Sequence, residues 1–167
     1  MKTLRFFLLL GCATLFTLVL SALSVRNGPD LFLVAVFDVA RRGLPIPAML
    51  AGLAAGLLED GLSSPERLLG LHAFSKVLLG YLVATLGARM LVEKPFASGL
   101  LVGAATLVET GVVLGLLAVL RDISPSVDPA GLALKAASTA ALGSFAQALV
   151  NVPWKDRLEA RRRRRLT

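Results

Sequence analysis

Six long apolar stretches fill most of this chain, and short polar segments separate them. They cover residues 3–25, 30–41, 44–58, 68–92, 96–120 and 129–152. A helix needs roughly 20 apolar residues to cross the hydrocarbon core of a bilayer. The second and third stretches are shorter than that and are divided at Gly43, Pro45 and Pro47, so residues 30–41 either cross the membrane or only enter it. The pattern predicts an all-α integral membrane bundle of about six transmembrane helices over residues 1–153.

The polar segments alternate in charge, and this alternation predicts the orientation of the bundle. With a cytoplasmic N-terminus, thirteen of the 18 lysines and arginines fall on the cytoplasmic side, whereas only Arg26, Arg67 and Arg121 fall outside. An excess of Lys and Arg in cytoplasmic loops sets the orientation of membrane proteins. We therefore expect both termini in the cytoplasm. A soluble helical bundle would need polar helix faces, and a window such as residues 112–119 has none.

Composition agrees with a single membrane domain. The chain has 167 residues, of which 56% are hydrophobic, and its mean hydropathy of +0.75 is high for a soluble protein. The single cysteine, Cys12, excludes an internal disulfide. The single histidine, His72, excludes the usual clustered-histidine metal sites. We predict neither a metal ion nor another cofactor.

The two chain ends are basic. Residues 1–5 followed by Leu9-Leu10-Gly11-Cys12 loosely resemble a lipoprotein signal, but the apolar core from Leu4 to Leu23 exceeds the 7–15 residues typical of signal peptides. We expect a retained first helix, with a cleaved or lipidated form as the alternative. Residues 154–167 form a basic cytoplasmic tail, which should be attracted to anionic lipid. Arginine runs also bind nucleic acid, but no soluble domain or interleaved aromatic residues support that partner. The tail arginines are Arg161, Arg162, Arg163, Arg164 and Arg165.

Small residues recur at helical spacing and predict close helix packing, because they let backbones approach within a membrane. Three glycine pairs have a spacing of four residues, and the last stretch carries two alanine faces. These faces pack inside the bundle or dock a helix from a partner, and the glycine pairs also permit a homodimer. The glycines are Gly52 with Gly56, Gly99 with Gly103, and Gly111 with Gly115; the alanines are Ala133, Ala137 and Ala141 on one face and Ala136 and Ala140 on the other.

Four charged residues interrupt the apolar stretches: Asp38, Lys76, Glu109 and Lys135. Charges at membrane depth usually face the bundle interior or a partner. Counted along each helix, all four fall in the outer half of the membrane. We expect Lys76 to pair with Glu109 and Lys135 with Asp38, although the pairing could swap, and His72 could join Lys76 from one turn away. Such a cluster either fixes helix register, lines a ligand pocket or contacts a partner's transmembrane helix.

The sequence offers no catalytic constellation. His72 and Ser75 are one turn apart, but no Gly-x-Ser-x-Gly elbow is present. Neither a Walker loop nor a Gly-x-Gly-x-x-Gly motif occurs. Glu59 and Asp60 cap the outer end of the third stretch and are expected to meet water or the next helix. We therefore expect a protein that is not an enzyme.

Residues 27–90 resemble the bacterial rod shape-determining protein family MreD. The resemblance begins at Pro29-Asp30 and the basic break at residues 41–43. It is strongest in the glycine-rich run over residues 52–60, which ends in the family's Gly-Leu-hydrophobic-x-Asp pattern, and in Leu69-Gly70-Leu71-His72-Ala73, which matches its Leu-Gly-x-x-Ala pattern. The residues that carry the motif are Gly52, Gly56, Asp60 and Gly70. Chain length, span count and the basic tail fit the same family.

The resemblance implies a non-catalytic component of the cell-elongation machinery in the bacterial inner membrane. Such proteins bind MreC and help to position the peptidoglycan polymerase RodA with its class B penicillin-binding transpeptidase, in connection with MreB filaments. The fold implied is similar to the substrate-binding subunits of energy-coupling-factor importers. The alternative function is therefore a small-molecule-binding membrane subunit of such an importer.

Overall fold

A computed structural model of the chain describes residues 2–23, 28–62, 69–87, 95–121 and 128–151. All regular structure in these residues is helical. The helices are α1 (Lys2–Ala22), α2 (Leu31–Ala40), α3 (Pro45–Leu62), α4 (Leu71–Gly87), α5 (Pro95–Arg121) and α6 (Pro129–Asn151). Each corresponds to one apolar stretch of the sequence, so the prediction of an all-α protein is confirmed. The basic tail at residues 154–167, including Arg161 to Arg165, lies outside the described residues.

Local sequence signals explain where the central helices begin. The Asp30 side chain accepts a hydrogen bond from the Leu33 amide at 2.9 Å and caps the N-terminus of α2. The chain reverses after α2 at Gly43, whose φ of 68° favours glycine. Pro45 then opens α3, a position where the missing N–H of proline costs nothing. The predicted break is therefore a tight turn between two helices, and Pro47 lies within the first turn of α3.

Helix α2 is the centre of the bundle. Every residue from Phe32 to Ala40 is buried, and α2 contacts each of the other five helices. Phe32 and Val36 pack against Leu10 of α1 and Ala55 of α3. With ten residues, α2 is about 15 Å long. It is therefore too short to cross a bilayer core of about 30 Å by itself.

The glycines predicted to pack helices act at two interfaces. A Cβ on Gly52 would lie 2.3 Å from the Lys76 carbonyl oxygen, and one on Gly56 would lie 2.3 Å from the Ala73 Cα. These two glycines therefore let α3 and α4 approach at backbone contact. On α5, a Cβ on Gly99 would lie 2.6 Å from the Ala140 carbonyl oxygen, and a Cβ on Gly103 would meet the Ala140 side chain.

A Cβ at Gly111 or Gly115 would meet nothing within 4 Å among the described residues, so the prediction that this pair also packs helices is wrong for that part of the chain. Twelve residues separate Gly99 from Gly111, and at 3.6 residues per turn this rotates the second pair by about 120° away from the α5–α6 interface. The alanines of α6 divide in a similar way. Ala136 and Ala140 face α5, whereas Ala133, Ala137 and Ala141 are exposed.

One helix among the described residues is long and apolar enough to cross a membrane: residues Phe96–Leu120, with a mean hydropathy of 2.1. Shorter apolar helical segments cover Phe6–Leu20, Leu31–Ala40 and Leu71–Leu86. Length and composition thus give one membrane-spanning candidate in the part of the chain that the structure describes.

Candidate functional site

Three buried charged residues, Asp30, Lys76 and Glu109, meet at the N-terminal end of α2. Lys76, on α4, is fully buried with 0% exposure, and its backbone carbonyl is the one that Gly52 approaches. The close α3–α4 contact therefore places the Lys76 side chain between helices rather than at the surface of the bundle.

Three carboxylates from three different segments surround the Lys76 ammonium group. Its Nζ lies 2.7 Å from an Asp30 oxygen and 2.7 Å from a Glu59 oxygen, and it also pairs with Glu109. Asp30 caps α2, Glu59 lies near the end of α3, and Glu109 lies within α5. We call these four residues the ion centre. It links α2, α3, α4 and α5 through one ammonium group.

The ion centre has more negative than positive groups. Oxygen atoms of Asp30, Glu59 and Glu109 lie within 4.8 Å of one another, a donor set that could hold a metal ion. In this structure the Lys76 ammonium makes the contacts that such a cation would make. A buried carboxylate is costly unless it is paired, so Lys76 is the residue on which the stability of all three carboxylates depends.

A second polar network lies beside the ion centre, where α4 begins. The Asp60 carboxylate accepts backbone hydrogen bonds from Gly70 at 2.8 Å, His72 at 3.2 Å and Ala73 at 3.3 Å. It thereby satisfies amides that have no partner within the first turn of a helix, and its charge complements the helix dipole. Gly70 precedes α4 with a φ of +100°, where glycine is favoured.

His72 connects the two networks. Its Nδ1 lies 2.8 Å from an Asp60 oxygen, and its Nε2 lies 3.8 Å from Glu59, which also contacts Lys76. Glu59 and Asp60 therefore both contact the α4 segment. Glu59 contacts its side chains, whereas Asp60 binds mainly its backbone amides.

Replacing Asp60 with alanine should lower the free energy of unfolding by about 1–2 kcal/mol, because the first turn of α4 loses its acceptor. The measurement is thermal unfolding of the purified protein in detergent. Asp128→Ala is the matched control, since Asp128 accepts from the Ala130 amide at 3.1 Å at the start of α6 but is exposed. Equal losses for the two variants would contradict a special role for the buried cap.

Helix α6 joins the ion centre through Asp30. The Asp30 amide donates a hydrogen bond to the Thr139 hydroxyl at 3.0 Å, and Lys135 lies one turn before Thr139 on α6. Ser75 is also buried; its hydroxyl donates to the His72 carbonyl at 3.0 Å. The polar groups at this level of the bundle therefore draw five helices together.

The structure brings some of the predicted residues together and separates others. Lys76 and Glu109 are in contact as predicted, and His72 joins them through Glu59. The predicted pair of Lys135 with Asp38 is wrong. Asp38 lies in the last turn of α2, about 12 Å along the helix from Asp30, where its oxygens bind Arg41 at 3.1 Å and Arg42 at 2.9 Å.

Sequence reasoning placed Asp30 and Glu59 in the outer polar segments and missed their part in the ion centre. The signal that could have found Asp30 is its place directly before an apolar run, because an N-cap residue sits at the start of its helix. For Glu59, a usable signal was the distance of seven residues from Gly52, since residues seven apart share a helix face. That face is the one that packs on α4.

Comparison with known proteins finds no matching family model, no matching curated protein and no matching solved structure. The functional assignment therefore rests on the residues of this chain and on the geometry described above.

Proposed function

We propose that this chain is a non-catalytic, multi-pass protein of the bacterial inner membrane that serves as a scaffold in the cell-elongation machinery. In this proposal it is of the MreD type, has both termini in the cytoplasm and binds MreC. Through that contact it helps to position RodA, the class B penicillin-binding transpeptidase and the MreB filaments.

The observation that carries the proposal is the closed ion centre. Lys76 is fully buried, it pairs with three carboxylates, and the α4–α5 cavity described below is not lined by the ion centre. Charges arranged in this way fix the relative positions of helices rather than receive a substrate. A rigid bundle of this kind suits a protein that works by holding partners.

The surface of the bundle supports a membrane location for more than one helix. Large apolar side chains are exposed on α1, α3, α4, α5 and α6, while α2 keeps its charged residue, Asp38, buried inside the bundle. Soluble monomers rarely expose contiguous apolar surface on this scale. The residues include Phe7, Leu15, Ile46, Phe74, Phe96, Val119, Leu134 and Phe145.

The resemblance to the MreD family gains a physical basis from the Asp60–Gly70 contact. These two residues are the most specific part of the resemblance, and in the structure the Asp60 carboxylate accepts the Gly70 amide. The pattern thus has a structural reason, because it joins the end of α3 to the start of α4.

The alternative function, a substrate-capturing subunit of an energy-coupling-factor importer, has less support. That function needs an open pocket with a few placed polar groups. Of the charged residues that suggested such a pocket, Lys76 and Glu109 bind each other, and Asp38 binds Arg41 and Arg42.

Purification of the full-length chain from its native membranes in a mild detergent, followed by mass-spectrometric identification of associated proteins, tests the proposal. We expect recovery of MreC in amounts comparable with the bait. An unrelated multi-pass protein carrying the same tag is the control. Recovery of the intact chain without MreC would contradict the scaffold function, and recovery with transport ATPases or a bound vitamin would favour the importer.

A further inference from the structure

An apolar groove lies between α4 and α5 and is unrelated to the ion centre. It encloses a cavity of about 250 Å³. Its floor is formed by buried residues of α2, α4 and α5, namely Phe37, Leu79 and Ala105. Its rim carries exposed residues on both sides, including Leu86 on α4 and Ala104 on α5. The groove therefore opens sideways, toward whatever surrounds the bundle.

The groove has a direction. On α4 it extends from Leu79 to Leu86, a distance of about 10 Å along the helix. One of its lining residues is Arg41, in the turn that follows α2. Arg41 therefore borders the groove near the end where α2 stops.

Arg41 has more hydrogen-bond donors than its contact with Asp38 uses. Arg41 and Arg42 bind the same carboxylate, that of Asp38. Arg41 uses its Nε for Asp38, so its terminal amino groups remain available for a planar two-point contact of the kind that phosphate favours. Its side chain is 24% exposed.

We propose that the α4–α5 groove binds one acyl chain of an anionic phospholipid whose phosphate pairs with Arg41. The inference rests on the proposed membrane location, because an apolar groove does not hold water and acyl chains are the apolar molecules available in a bilayer. The position of Arg41 in a predicted cytoplasmic turn fits the anionic leaflet.

Native mass spectrometry of the full-length, delipidated chain tests the inference by counting bound lipid. Phosphatidylglycerol and phosphatidylcholine with identical acyl chains are added separately. We expect one retained phosphatidylglycerol, with affinity about tenfold above that of phosphatidylcholine, since one charge-assisted contact is commonly worth a factor of that size.

Two pairs of variants locate the lipid. Arg41→Gln should abolish the preference for phosphatidylglycerol, whereas Arg42→Gln, which removes the other arginine on Asp38, should retain it.

Ala104→Phe should block the groove and reduce binding of phosphatidylglycerol about tenfold, a loss of about 1.4 kcal/mol. Ala118→Phe makes the same change at an exposed α5 position outside the groove and should have no effect. Because Ala104 is also exposed, its variant should fold even if Arg41→Gln does not.

Several outcomes would overturn the inference. Equal binding of the two lipids, or an unchanged preference in Arg41→Gln, would remove the role of the charge. Displacement of the lipid by millimolar inorganic phosphate would show an anion site without an acyl chain. If the protein forms a dimer or binds a partner protein, and Ala104→Phe abolishes that association, the groove binds a protein and not a lipid. Loss of MreC in the purification above, with lipid preference intact, would contradict the scaffold function alone.

Discussion

Replacing Lys76 with methionine is expected to lower the free energy of unfolding by about 3–5 kcal/mol. Methionine preserves most of the volume and removes the charge. The three carboxylates of Asp30, Glu59 and Glu109 would then share the buried ion centre without the ammonium group that contacts all of them. The measurement is the midpoint of thermal unfolding in detergent, with a reversible denaturant titration to obtain the free energy.

The ratio of three carboxylates to one lysine makes this prediction asymmetric. Glu109→Gln should cost much less than Lys76→Met, because the remaining carboxylates keep the ammonium group paired. Adding Glu109→Gln to Lys76→Met should recover part of the loss, since one buried charge disappears. Lys135→Met is the matched control, because Lys135 is half-buried and forms no ion pair with the residues that the structure describes. Equal effects of Lys76→Met and Lys135→Met would show that the ion centre does not stabilise the bundle.

Replacing Gly52 with alanine is expected to have the second largest effect, a loss of about 3 kcal/mol, at the upper end of the range for overpacked sites. The new methyl group would lie 2.3 Å from the Lys76 carbonyl oxygen and 2.6 Å from its carbon. Both atoms belong to the backbone, so a rotamer change cannot relieve the contact and α3 must move away from α4. That movement would also displace the Lys76 side chain from its carboxylates.

Gly111→Ala is the control for this prediction. It makes the same change within a helix at a position where a Cβ meets nothing within 4 Å. Alanine has the higher helix propensity, so this variant should be neutral or more stable by about 0.5–1 kcal/mol. The comparison uses the same unfolding measurement for both variants. Equal stability of Gly52→Ala and the unmodified protein would contradict the close approach of α3 and α4.

The positions of the helices could be predicted because apolar runs and helix breakers are local signals. Pro129 opens α6 as expected from its place at the start of an apolar stretch. The lengths of the helices were predicted less well than their positions. The fourth stretch extends over residues 68–92 in the sequence, whereas α4 begins at Leu71, where the Asp60 carboxylate caps it from another helix. A cap supplied by a distant residue leaves no mark next to the helix it caps.

The charged residues show the same division. Lys76 and Glu109 could be singled out because each stands alone within an apolar helix, and such a residue needs a partner. Asp30 and Glu59 stand at helix ends, where the sequence cannot distinguish a carboxylate in water from one that faces inward. The position of α2 decides which carboxylate pairs with Lys76. Asp30, at the N-terminal end of α2, lies level with Lys76, whereas Asp38 lies at the other end of the helix.

The sequence by itself determined that the chain is helical, where the six described helices lie, which glycines could permit close packing and that Lys76 and Glu109 would be buried. These properties depend on composition and spacing along one helix. Only the tertiary structure decided that α2 is the central helix, that Gly52 and Gly56 pack while Gly111 and Gly115 do not, and that one lysine holds three carboxylates. The physical reason is that rotation and depth relate one helix to another, and a pattern along a single helix does not contain that relation.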